Sequence, residues 1–130
     1  MPGSWPVASA DSDFGPYLAG RPADSVRMFW HFLAMARAAG PLTFELQNGP
    51  VILRGTRRIF ASVRVLDHGL RGHLNLMRSV DDRRLGKVEP LTNRLVYHRY
   101  LVRSLSDLDD EFERWLAEAR AVGDGAHLGC

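Results

Sequence analysis

The chain has one cysteine, Cys130, among its 130 residues, and one lysine, Lys87, against sixteen arginines. A lone cysteine excludes an intramolecular disulfide and a cysteine-built metal cluster, and it suits a reducing compartment. No apolar run approaches the ~20 residues of a membrane span. The opening MPGSWPVASADSDF lacks the basic start and apolar run of a signal peptide. A soluble, cytoplasmic protein with no membrane partner is the expectation. No two histidines stand at the helical or strand spacing of a metal pair, and no glycine-rich loop leads from a strand into a helix. Ser62 and Ser79 lie outside any nucleophile elbow. No cofactor or metal is expected, and the residues alone decide neither for nor against an enzyme.

What the chain does hold is an uneven charge. Residues 1–53 carry three arginines and four acids, residues 54–103 eleven arginines and Lys87 against four acids, and residues 104–130 two arginines against seven acids. The net +2 of the whole therefore hides a strongly basic middle and an acidic end. Arginine suits bidentate contact with carboxylates and phosphates, and it stacks on aromatic rings.

The periodicity places the elements. Residues 1–20 are rich in proline and glycine and read as an N-terminal arm, with Trp5, Phe14 and Tyr17 available to pin it to the body. A helix is predicted over 22–39, opened by Pro22 and Asp24 and stopped by Gly40-Pro41. It carries two apolar stripes, one through Phe29 and Leu33 and one through Met28, Phe32 and Met35, so the arm covers the second or that stripe lines a pocket or a dimer contact. The period then changes to two. LTFELQ and PVILR flank the turn Asn48-Gly49; RRIFASVRVL, LRGHLNLM and LVYHRYLVRS follow as three further strands. The segment 78–94 shows no period and reads as a long loop folding over one end of the sheet. A second helix is predicted over 106–122, capped by Ser106. The single domain would span 21–123, with 124–130 a tail.

Strand parity separates two faces. Val63, Val65, Leu70, Leu74, Leu76, His98, Tyr100 and Val102 fall on the covered face. Arg58, Phe60, Arg64, Arg71, His73, Tyr97 and Arg99 fall on the other, which would be open, basic and aromatic. Those seven are the candidate binding residues, with His98 a candidate at the floor of a pocket. The partner they suggest is an anionic small molecule or an acidic protein surface. Single-stranded nucleic acid stacking on the aromatics is a further possibility, and a homodimer another. As an enzyme, the protein would use His73 or His98 as acid or base, with arginines holding an anionic substrate.

The stretches YLAGRPADSVRMFWHFLAMARAAGP, RRIFASVRV, GHLNLM and above all HRYLVRSLSDLDDEFERWLAEA resemble a bacterial domain family of unknown function, some of whose members are described as transport-associated. The likeness covers about residues 17–122, and its most distinctive part is His98 with Ser104 and Asp107-Leu108-Asp109. Where that family carries a lysine-containing strand, this chain has Glu45-Leu46-Gln47. The fold expected is α+β: a two-layer sandwich with two helices on one face of a five-stranded antiparallel sheet, similar in element order to the frataxin-type α-β-α arrangement.

Overall fold

The computed structural model describes residues 7–8, 11–46 and 50–128. The turn expected at Asn48-Gly49, the anchor expected at Trp5, and Cys130 lie outside those residues. The fold is α+β with an antiparallel sheet, as the alternation and its flanking helical periods imply. Helix α1 (Gly15–Leu18) is a single turn, and α2 (Ala23–Ala38) and α3 (Asp110–Gly123) are the two long helices. The strands are β1 (Val7–Ala8), β2 (Thr43–Leu46), β3 (Val51–Arg54), β4 (Ile59–Leu66), β5 (Gly69–Leu76), β6 (Leu85–Pro90) and β7 (Val96–Val102). They form one sheet in the order β1-β2-β3-β4-β5-β7-β6, antiparallel at every pairing. Among the described residues no helix is long and apolar enough to cross a membrane.

Seven strands, not five, is the first correction. One addition is β1, which brings part of the arm to the edge of β2. The other is β6, formed inside the segment read as a loop. Only Leu85 of β6 is buried and its other five residues are exposed, so LGKVEP shows none of the alternation that a half-covered strand writes into a sequence. The chain leaves β5, runs to the sheet's edge as β6, and returns between them as β7. The segment 78–94 therefore extends the sheet sideways and does not fold over its open face.

Both long helices lie against β4 and β5 and against each other, and so cover one face. Phe32 of α2 packs on Tyr100 and on Phe112 of α3, with ring centres 6.0 and 6.2 Å away. The arm covers the other flank of α2: Phe14, fully buried, meets Phe29, Trp30 and Phe44 edge to face. Tyr17 caps an open strand position, its hydroxyl accepting from the Val65 N–H at 3.2 Å. The two stripes of α2 are thus both covered from within the chain.

The second helix starts later than expected. Leu105–Asp107 form a 3₁₀ turn, and Asp109 caps α3 by accepting from the Phe112 N–H at 3.0 Å. Ser106 is not the cap. Asp107 is turned inward instead, accepting from the Arg103 N–H at 3.0 Å and from Arg83 at 2.7 Å. Burial pushes its carboxyl up, but those bonds outweigh burial and hold it below the usual range.

At the far end of α3 two glycines let backbones touch. A Cβ on Gly55 would lie 2.5 Å from the carbonyl carbon of Gly123, and one on Gly123 would lie 2.5 Å from the Phe60 ring. That approach allows the Gly123 carbonyl to accept from both Arg57 N–H (2.8 Å) and Arg58 N–H (3.1 Å), fixing the helix end to the start of β4.

Candidate functional site: the open face of the sheet

The sheet face away from the helices carries several arginines without an ion-pair partner among the described residues, and register decides which of them meet. One row of facing residues runs Ile52, Ser62, His73, Arg99, Lys87 from β3 to β6. The adjoining row sets Arg64 of β4 directly against Arg71 of β5, with Leu101 of β7 beyond. Arg64, Arg71 and Arg99 are exposed, and none takes part in an ion pair among the described residues. The nearest acid on β2, Glu45, is taken by Arg54 at 2.6 Å.

These arginines border a shallow, open depression of about 300 Å³, lined also by Pro50, Ser62, Gly72 and Tyr97. Its floor is polar and ordered. The Ser62 hydroxyl accepts from the His73 backbone N–H at 3.2 Å and forms a second hydrogen bond with His73 Nδ1, 2.7 Å away. In the neutral ring protonated at Nε2, Nδ1 accepts the hydroxyl proton. The ring stacks on Tyr97 at 5.3 Å and 12°. Burial pushes the His73 pKa down to about 4. Desolvation, not the neighbouring guanidiniums, is the cause. Below Ser62, the fully buried Tyr100 donates its hydroxyl to the Ser62 carbonyl at 2.7 Å.

Of the seven residues that parity assigned to this face, five are on it: Arg64, Arg71, His73, Tyr97 and Arg99. Phe60 and Arg58 are not, and one cause accounts for Phe60. The β3–β4 register advances from Leu53↔Ala61 to Arg54↔Ile59, one residue on β3 against two on β4. Phe60 is the extra residue of a β-bulge, which turns its side chain toward the helices. It is 1% exposed, in the core and against Gly123. Arg58 comes before the bulge and reaches the segment after α3, its Nη1 3.3 Å from His127 Nε2. Three cations of 78–94 also leave this face: Arg78 pairs with Glu118, Arg83 with Asp107, and Arg84 with Asp82, Asp109 and Glu111, all at 2.7–2.9 Å. His98 is fully buried among the core residues, donating from Nδ1 to the Val96 carbonyl and accepting at Nε2 from the Val80 N–H, each 3.0 Å. Both ring nitrogens are used, and no pocket opens on it among the cavities described.

Parity alone puts Ser62 on this face, but sequence reading left it out of the binding residues and read Lys87 as part of a loop, not a strand. Ser62 shares the parity of Arg64, so its place was readable; its bond to His73 depended on register. Lys87 needed β6. Among the described residues no group of three or more His, Cys, Asp or Glu is arranged to hold a metal ion. No protein-family model, curated protein or solved structure matches the chain. The family resemblance drawn above therefore stands on the quoted residues alone.

Proposed function

We propose that this protein is a binding module that takes a compact anionic small molecule on the open face of its sheet, between Arg64, Arg71 and Arg99. The observation that carries this reading is the facing pair Arg64 and Arg71. Like charges set opposite each other on neighbouring strands repel and destabilise a sheet. Here neither has a carboxylate partner among the described residues, so an anion between them turns that repulsion into two charge-assisted contacts. The Tyr97–His73 stack offers an apolar wall for the body of the ligand. A polar groove with one half-buried aromatic, Tyr97, favours a small molecule over a nucleic-acid strand, which needs a succession of stacking rings. The frataxin-type likeness is one of element order and adds nothing about function.

The test is titration with inorganic phosphate at two ionic strengths, followed by heat and by thermal shift. Binding should weaken as salt rises. The double variant Arg64→Met/Arg99→Met should fold, since both residues are exposed, and should lose the heat of binding. A variant that folds and binds phosphate as the parent does would reduce the face to solvated surface.

The Ser62–His73 bond supports a second reading, a small enzyme in which His73 is the base. A hydroxyl 2.7 Å from an imidazole nitrogen, beside three guanidiniums, has the geometry of a nucleophile and its activator. Covalent labelling of Ser62 by a fluorophosphonate, abolished in His73→Gln, is what this reading requires; an unlabelled parent rejects it.

A further inference from the structure

The open face holds a second like-charge pair, and its position relative to the first defines the shape of a ligand. Lys87 of β6 and Arg99 of β7 are register partners, as Arg64 and Arg71 are. All four side chains are exposed. Lys87 has one weak neighbour, Glu89 two residues along its own strand at 3.7 Å, with both side chains half exposed to water. Between the two pairs stands His73, neutral and held by Ser62, in the same row as Arg99.

The separation follows from sheet geometry. The midpoint of the first pair lies between β4 and β5, and that of the second between β7 and β6, two strand spacings away. The rows differ by two residues along the strands. With about 4.8 Å between strands and about 3.4 Å per residue, the midpoints are roughly 12 Å apart at the backbone. Arginine and lysine stems lean by several ångströms, so the charged heads can close on groups set nearer together. Resting on the anion-binding reading above, we infer that the ligand is two-pronged: a short polar body with a phosphate or carboxylate at each end. One end would lie between Arg64 and Arg71 and the other between Arg99 and Lys87. The uncharged middle would pass between His73 of β5 and Leu101 of β7, which offer it an imidazole and an apolar side chain instead of another cation.

A single anionic pocket and a two-pronged one respond differently to the spacing of charge. The probes are fructose 6-phosphate, fructose 1,6-bisphosphate and pyrophosphate, titrated at one ionic strength into the full chain and into Lys87→Met and Arg64→Met. The inference expects the bisphosphate to bind at least tenfold more tightly than the monophosphate and also more tightly than pyrophosphate, whose two phosphates are joined directly. Lys87→Met should erase the advantage of the bisphosphate and leave monophosphate affinity within twofold, while Arg64→Met weakens both sugar phosphates. If pyrophosphate matches the bisphosphate, total charge decides and the spacing argument is overturned, though the anion-binding reading survives. If monophosphate and bisphosphate bind alike, the second pair is idle and the inference fails in the same way. If none of the three binds, both readings fall together.

Discussion

The guanidinium carbon of Arg84 stands 4.6 Å from the centre of the Trp115 ring. From there its nitrogens reach Asp82, Asp109, Glu111 and the carbonyl of Asp107, all within 3.1 Å. One side chain thus joins the start of β6, the 3₁₀ turn and the first turn of α3. The bond to Asp82 and those that follow outweigh burial and hold its pKa above the usual arginine value, so it is charged at any accessible pH.

Arg84→Met keeps the contact with Trp115 and removes every hydrogen bond of the side chain. Breaking a buried ion pair costs about 3–5 kcal/mol; because Asp109 and Glu111 are half exposed and resolvate, about 2–3 kcal/mol is expected here. Urea unfolding measures it. A loss below about 0.5 kcal/mol would show that water replaces the arginine without penalty.

The bulge makes Phe60 a core residue, and two substitutions read that out. Phe60→Ala should cost about 3–5 kcal/mol, the range for truncating a buried phenylalanine. Gly55→Ala should cost about 1–3 kcal/mol, because the new methyl meets the backbone of Gly123. An alanine at position 60 that leaves the unfolding midpoint unchanged would return that side chain to the solvated face.

Tyr100→Phe removes one hydroxyl from a site without other change of shape. The Ser62 carbonyl then loses its bond from Tyr100 inside the protein, at a cost of about 1–2 kcal/mol. Gly72 is part of the same arrangement: a Cβ there would lie 2.0 Å from the Ser62 oxygen and 2.7 Å from the Tyr100 hydroxyl. Chemical denaturation of the phenylalanine variant decides it; equal stability would mean that the bond is worth nothing net.

Stability should fall with pH in a window set by His73. Its pKa is about 4 in the folded protein, against an ordinary 6.5, because burial disfavours the charged ring. A histidine held neutral contributes stability that is complete above pH 6.5 and is lost as pH falls through 4. His98 and His127, also lowered by burial, act in the same direction. Unfolding followed from pH 7 to pH 4 should show a decline that His73→Gln reduces by roughly 2–3 kcal/mol. An imidazole of His73 that titrates near 6.5 by NMR would contradict the buried ring.

Much of this arrangement was readable from residues alone, and the exceptions share a cause. Helix α2 announces itself by Pro22, Asp24 and Gly40-Pro41, and β4, β5 and β7 by alternation, so five of the seven open-face residues were legible. Alternation counts residues, however, and a bulge adds one without leaving a mark, which is why Phe60 was placed on the wrong face. Strand β6 failed for the opposite reason: five of its six residues face solvent, so no apolar period exists to be read. The partners of Arg84 come from three separate segments, and only the folded chain brings them together. Ser62 and His73 meet because Asp67 and His68 make a two-residue turn between Leu66 and Gly69, which fixes every facing pair behind it.

Strand β6 ends the sheet, pairing with β7 and leaving its far side to water. A free strand edge is an invitation to another chain, the route by which sheet proteins grow into fibres and unwanted assemblies. This edge answers with Pro90, which has no N–H to offer, and with Lys87 and Glu89, whose opposite charges sit along a rim only six residues long. Strand-to-strand addition at β6 therefore has little to hold. The protein can carry a bare, arginine-rich surface at high concentration without that margin of its sheet becoming a seed for aggregation.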